Sequence, residues 1–150
     1  MRVLGTRLAR LLRAGDLVIL LGELGAGKTT LVQGIGAGLE VRGPVTSPTF
    51  VIARVHPSLS GGPNLVHADA YRLTGPAEVD DLDLDETLDS SVTVVEWGGG
   101  LAEGLAADRL EVTITPARQG REVRITGHGE RWSGLDDSAF LALSGGLEGL

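Results

Sequence analysis

The chain has 150 residues, 42% of them apolar and 22% charged, enough for one globular domain over residues 1–150 that buries about 70% of its unfolded surface. It has no cysteine, which excludes disulfides and thiolate metal sites. A net charge of −7 and an aromatic content of 3% argue against an extended nucleic-acid surface, which needs clustered cations or stacking rings, so DNA is not an expected partner.

Residues 5–13 carry apolar side chains at helical spacing, with Arg7, Arg10 and Arg13 on the other face. They predict a short amphipathic helix. Gly15 and Asp16 turn the chain into an apolar strand over 17–21. This longest apolar run is far too short to cross a membrane, and residues 1–5 lack the core of a signal peptide. A cytoplasmic location is the expectation.

Next comes Gly22-Glu23-Leu24-Gly25-Ala26-Gly27-Lys28-Thr29-Thr30, a G-x-x-x-x-G-K-T pattern set between a strand and a helix start. Glycine at 22, 25 and 27 permits φ > 0 and lets backbone N–H groups close around a phosphate. The unpaired N–H groups of the helix start favour an anion. Lys28 can reach β- and γ-phosphates, and the Thr29 hydroxyl can ligate the Mg²⁺ that bridges them. Lys28 is the only lysine in the chain. A bias toward arginine has spared the one position where a compact ammonium is not replaceable by a planar guanidinium.

The helix is expected over 28–39. Gly34, Gly36 and Gly38 weaken it by up to about 1 kcal/mol each relative to Ala, and close packing of the helix on the sheet is the reading preferred for them. Residues 43–49 form a turn-rich loop with Thr46, Ser47 and Thr49. It is either a segment that senses the γ-phosphate or ordinary turn chemistry around two prolines. Strands follow over 50–55 and 64–71, paired as an antiparallel hairpin. His56 and His128 read as isolated and solvent-facing, and His67 as a hydrogen-bonded structural residue. The acidic stretch 75–89 is expected to be a mobile surface segment with one or two short helices, or a docking face for a basic partner. Arg72 either neutralises phosphate charge or pairs with this stretch, the pair being preferred.

Residues 91–97 are nearly continuous in β-branched side chains, the pattern of a strand buried on both faces. A loop over 98–104 leads to 109–115 and 122–126. These alternate apolar and polar residues and predict a two-stranded antiparallel extension with one face to solvent. A final helix is expected over 135–143. Trp97 and Trp132 are expected to be packing residues, with sensing of the site as the alternative for Trp97, next to Glu96. The fold class is α/β, a P-loop nucleotide-binding fold: a central, mostly parallel sheet, antiparallel strands at its edges, helices on both faces.

A phosphate loop needs an acid at the end of a nearby buried strand to hold the metal. Asp69 and Glu96 both qualify. Either could ligate Mg²⁺ while the other orients the attacking water.

Four pieces in order, the phosphate loop, Thr46-Ser47-Pro48-Thr49-Phe50, His67-Ala68-Asp69-Ala70-Tyr71-Arg72-Leu73 and Val94-Val95-Glu96-Trp97, resemble the TsaE (YjeE) family over roughly residues 5 to 125. The phosphate loop alone is shared by many families; the combination is far more specific. The segment after His67-Ala68-Asp69-Ala70-Tyr71-Arg72-Leu73 carries Asp83 where the family commonly has glycine. The resemblance implies a weak, partner-dependent ATPase that supports threonylcarbamoyladenosine (t⁶A) modification of tRNA, with ATP or ADP and Mg²⁺ as cofactors. It implies TsaD and TsaB as partners, with tRNA engaged only through them. It further implies that Glu23, Leu24, Gly25, Ala26, Gly27, Lys28, Thr29, Thr30 and Thr49 hold the nucleotide. Thr29, Asp69 and Glu96 would hold the metal, and Lys28, Asp69 and Glu96 would carry catalysis. A small-molecule kinase on the same fold is the alternative, although no arginine-rich lid stands out. A guanine-reading N-K-x-D motif cannot exist, because the single asparagine is Asn64 and the single lysine is Lys28.

Overall fold

β-Branched and leucine runs with no polar interruption must be shielded on two sides, and one such run, β1 (Leu17–Gly22), lies in the interior of the sheet. The computed structural model describes residues 1–22, 27–43, 45, 53–69, 88–96, 108–116 and 121–133. The expectations for 23–26, 46–52, 70–87, 97–107 and 134–150 lie outside them.

The described chain runs α1 (Arg2–Ala9), β1, α2 (Lys28–Leu39), β2 (Ala53–His56), β3 (Asn64–Asp69), β4 (Ser91–Glu96), β5 (Arg109–Pro116) and β6 (Arg121–His128). The six strands form one sheet in the order β2-β3-β4-β1-β5-β6. β3, β4, β1 and β5 are parallel to one another, and β2 and β6 add antiparallel edges. No helix among the described residues is long and apolar enough to cross a membrane.

Register decides which side chains share a face. Leu20 stands opposite Glu96, and Asp69 opposite Glu96. Leu65, Val92, Val94, Val18, Leu20, Leu110, Val112 and Ile114 therefore share one face. They form the core with Leu31, Val32 and Ile35 of α2 and with Leu4 and Leu8 of α1. Leu17, Ile19, Val66, Ala68 and Val95 alternate with them and are buried as well, so both faces of the central strands are shielded.

Helix α1 begins earlier than the 5–13 expected and ends at Ala9. Gly5 is not its start but its contact point: a Cβ there would collide with the Leu31 carbonyl and lie 2.8 Å from the Ile35 nitrogen. After Ala9 the chain continues in i to i+3 bonds, Leu11 N–H to Leu8 O (2.9 Å) and Leu12 N–H to Ala9 O (3.2 Å), a tighter turn than the α-helix. The glycines of α2 also differ from expectation. Gly34 and Gly38 face α1, where a Cβ would meet the Arg2 carbonyl and the Ala9 side chain; only Gly36 faces the sheet side, against Val45, Val41 and Leu65. The glycine row serves mainly a close helix–helix crossing.

Three further expectations are corrected. β5 is not part of a separate two-stranded extension: it pairs parallel with β1, and only β6 is an antiparallel addition. Its alternation does reflect one-sided burial, with Leu110, Val112 and Ile114 in the core. His56 is buried, not solvent-facing, because the hairpin with β3 sets it opposite Leu65 on the inner face. His128 is not isolated; its Nε2 lies 3.4 Å from Glu111 Oε2. Trp132 is buried as expected.

Candidate phosphate and metal site

In a parallel sheet the carboxyl ends of the strands all open toward one edge, which is where such folds place their ligands. Three elements end there side by side: β3 on Asp69, β4 on Glu96, and β1 on Gly22, from which the chain leads to Lys28. Residues 69 and 96 face each other in register.

Gly27 caps α2 in the left-handed region at φ 104°, a conformation that disfavours any side chain. A Cβ there would also lie 3.0 Å from Arg121 Nη1 and 3.1 Å from Met1 Cγ. Gly22 lies at φ 159°, and its carbonyl accepts a hydrogen bond from Lys28 Nζ. Lys28 itself is the first residue of α2 and is 5% exposed. Burial pulls its ammonium below the usual lysine range, while the Glu96 and Asp69 carboxylates push it back up. A cation stripped of water thus sits within the field of two acids, at a helix start whose N–H groups favour an anion.

Glu96 is 4% exposed. Its Oε2 lies 2.5 Å from Nε2 of His67, which is fully buried. Asp69 and Thr29 are half-buried, and Thr30 is exposed. Glu23, Leu24, Gly25, Ala26 and Thr49 fall outside the described residues.

The donor set suits a particular cation. No group of three or more His, Asp or Glu side chains that could cage a metal occurs among the described residues. Two carboxylates and a hydroxyl, all hard oxygen donors, fit a Mg²⁺ ion that takes its remaining ligands from phosphate and water. The bare Gly27 backbone and the Lys28 ammonium fit the phosphate.

Two residues beside this site had no comparable sequence signal. Arg121 comes to Gly27 only because the β5–β6 hairpin pairs Pro116 with Arg121. The link from His67 to Glu96 spans 29 residues; the two polar residues inside apolar strands were visible, their pairing was not.

The chain is similar to known proteins in sequence and in fold. The family model for threonylcarbamoyl adenosine biosynthesis protein TsaE matches residues 1–123. A TsaE of Streptomyces coelicolor is 63% identical over 146 residues, covering 93% of this chain and 99% of that protein. A Mycobacterium tuberculosis TsaE (strain H37Rv) is 52% identical over 118 residues, 74% of this chain and 70% of its own. The crystal structure of Bacillus subtilis YdiB superimposes with a TM-score of 0.71 at 30% identity, covering 97% of this chain and 87% of that one. The sheet order, the glycine-capped lysine helix and the family match together make this chain a member of the TsaE family of tRNA threonylcarbamoyladenosine biosynthesis.

Proposed function

We propose that the chain is the Mg²⁺-dependent, ATP-binding component of the t⁶A machinery. In this reading it is a weak ATPase that works in the cytoplasm on a TsaD–TsaB complex and meets tRNA only through that complex. The observation that supports this most is the meeting of Lys28 with Glu96 and Asp69 at the ends of three adjacent strands.

Lys28 exchanges its bond to the Gly22 carbonyl for the β- and γ-phosphate oxygens, which offset the cost of its burial. In this reading the segment from Glu23 to Thr30 would bind those phosphates, together with Thr49. Thr29 and one of Asp69 and Glu96 would hold Mg²⁺, which would neutralise phosphate charge and align the terminal group for in-line attack. The acid not bound to the metal accepts a hydrogen bond from the attacking water and so fixes its direction.

The test is phosphate release from ATP by the purified chain, alone and with TsaD–TsaB. Slow release alone, faster release with the complex and none after chelation of Mg²⁺ is the expected result. A rate indifferent to the complex, or phosphate recovered on a small-molecule acceptor, would overturn the proposal in favour of a free-standing ATPase or a kinase.

A further inference from the structure

We infer that His67 is a positioning residue for the cation site, holding the Glu96 carboxylate in one orientation through an Nε2–H hydrogen bond. The inference rests on the reading given under Proposed function. It concerns a residue that does not itself touch nucleotide or metal.

The geometry begins with register. β3 and β4 run parallel with His67 opposite Val94 and Asp69 opposite Glu96, so the imidazole and the Glu96 carboxylate lie on one face, two residues apart along the strands. A glutamate at a strand end has three rotatable bonds and would ordinarily sample several orientations. Here its Oε2 lies 2.5 Å from His67 Nε2, with the two side chains 5% and 0% exposed. Water cannot compete for that bond. One oxygen is tied to the imidazole, which leaves the other for a ligand.

The second ring nitrogen gives the direction of the proton. His67 Nδ1 is buried and has no hydrogen-bond partner among the described residues. A neutral imidazole protonated there would bury an unpaired donor and turn an Nε2 lone pair toward a carboxylate, two penalties at once. The Nε2–H tautomer avoids both. A buried polar pair is weak ground for stability, because apolar side chains of similar volume pack as well. What the imidazole adds is direction, in the way that hydrogen bonds behind a metal-binding carboxylate fix its aim. The neighbours on that face include the apolar Leu65, Val92 and Val94 and, opposite His67 on β2, Arg54. His56 of β2 lies on the same face, one strand further from the site.

Two measurements test this. The first is the ¹⁵N spectrum of the imidazoles in the nucleotide-free chain: a protonated Nε2 and a bare Nδ1 are expected for His67, and a proton on Nδ1 alone overturns the inference without any variant. The second is the ratio of ADP affinity with and without Mg²⁺, read for the parent, His67→Leu and His67→Gln, with melting temperature as the control for folding. Leucine removes the donor, whereas the glutamine amide can place an N–H near the Nε2 position. The Mg²⁺ dependence is expected to weaken about tenfold or more in His67→Leu and to return to within about threefold of the parent in His67→Gln. Equal loss in both variants, or no loss in His67→Leu, overturns the inference. A parent chain whose ADP binding ignores Mg²⁺ overturns the functional reading itself, and the inference with it.

Discussion

His56 shows what a single misplaced polar residue costs. It was expected in solvent and is buried against the sheet. Burial lowers its pKa below the usual 6.5; a hydrogen bond with the Arg42 backbone works the other way, and the Arg54 guanidinium adds to the lowering. Because the folded chain holds this imidazole neutral, the unfolded chain binds the extra proton first. The stability it contributes is complete above pH 6.5 and is lost as pH falls below that value toward the lowered folded-state pKa. Urea unfolding should therefore show the parent weakening from about pH 7 to about pH 5, and His56→Leu weakening less over the same interval. Parallel profiles would mean that His56 does not titrate against folding. Alternation in 50–55 could not reveal this burial, since His56 shares its strand face with the polar Arg54, two residues earlier, and closes the strand just before Pro57.

At the scale of elements, the crossing of α1 over α2 depends on absent side chains. Gly5 on one helix and Gly34 and Gly38 on the other bring the two backbones into direct contact. Gly34→Ala is a sharp probe, because helix propensity alone would favour alanine by about 1 kcal/mol. Overpacking against the Arg2 carbonyl should outweigh that gain and destabilise the chain by about 1–3 kcal/mol. At this size that is a fall of roughly 2–4 °C in melting temperature per kcal/mol. A variant that melts higher would show that the crossing is not tight.

These elements also mark how far sequence reasoning reaches. Helix α2 was legible at its start because the Gly-Lys junction fixes it; its close falls where Glu40 turns into the left-handed region at φ 57°, which no residue signalled. β4 was legible because Val92, Val94 and Val95 with Thr93 leave a strand little choice. The boundaries of α1 were not, since glycine reads as a helix breaker until the partner helix that needs it is known. The parallel placement of β5 beside β1 was not, since alternation reports which face is buried and not which neighbour supplies the hydrogen bonds. At the site, Lys28, Asp69 and Glu96 were visible as residue types at the right ends of elements. The His67–Glu96 bond and the approach of Arg121 were not, because only strand register brings them together.

Over the whole molecule, distant segments close on one another. Arg131, beyond the last strand, donates from Nε to Asp16 Oδ1 (3.2 Å) and from Nη2 to Asp16 Oδ2 (3.2 Å) and the Leu11 carbonyl (2.8 Å). Its guanidinium also lies 4.1 Å from the centre of the Trp132 ring. Asp16 in turn accepts the Arg13 N–H at 2.8 Å. This clasp fastens the turn that launches β1, and β1 leads directly to the proposed nucleotide site. The strands flanking β1 supply the rest: β4 ends on Glu96, and β5 hands over to β6, whose first residue Arg121 reaches Gly27. The site is a property of the sheet order, with residues from positions 27 to 121 converging on one edge.

The central claim, that Lys28 and the carboxylates across from it form a nucleotide–Mg²⁺ site, is tested most directly by melting curves with ADP, with and without Mg²⁺, for the parent and Lys28→Met. ADP–Mg²⁺ at a hundred times its dissociation constant should stabilise the parent by about 2.7 kcal/mol, roughly 5–10 °C at this chain length. Lys28→Met should melt no lower than the parent without nucleotide, because a buried ammonium is costly to desolvate, and should gain nothing from ADP–Mg²⁺. A Lys28→Met variant stabilised by ADP–Mg²⁺ as strongly as the parent would contradict the account.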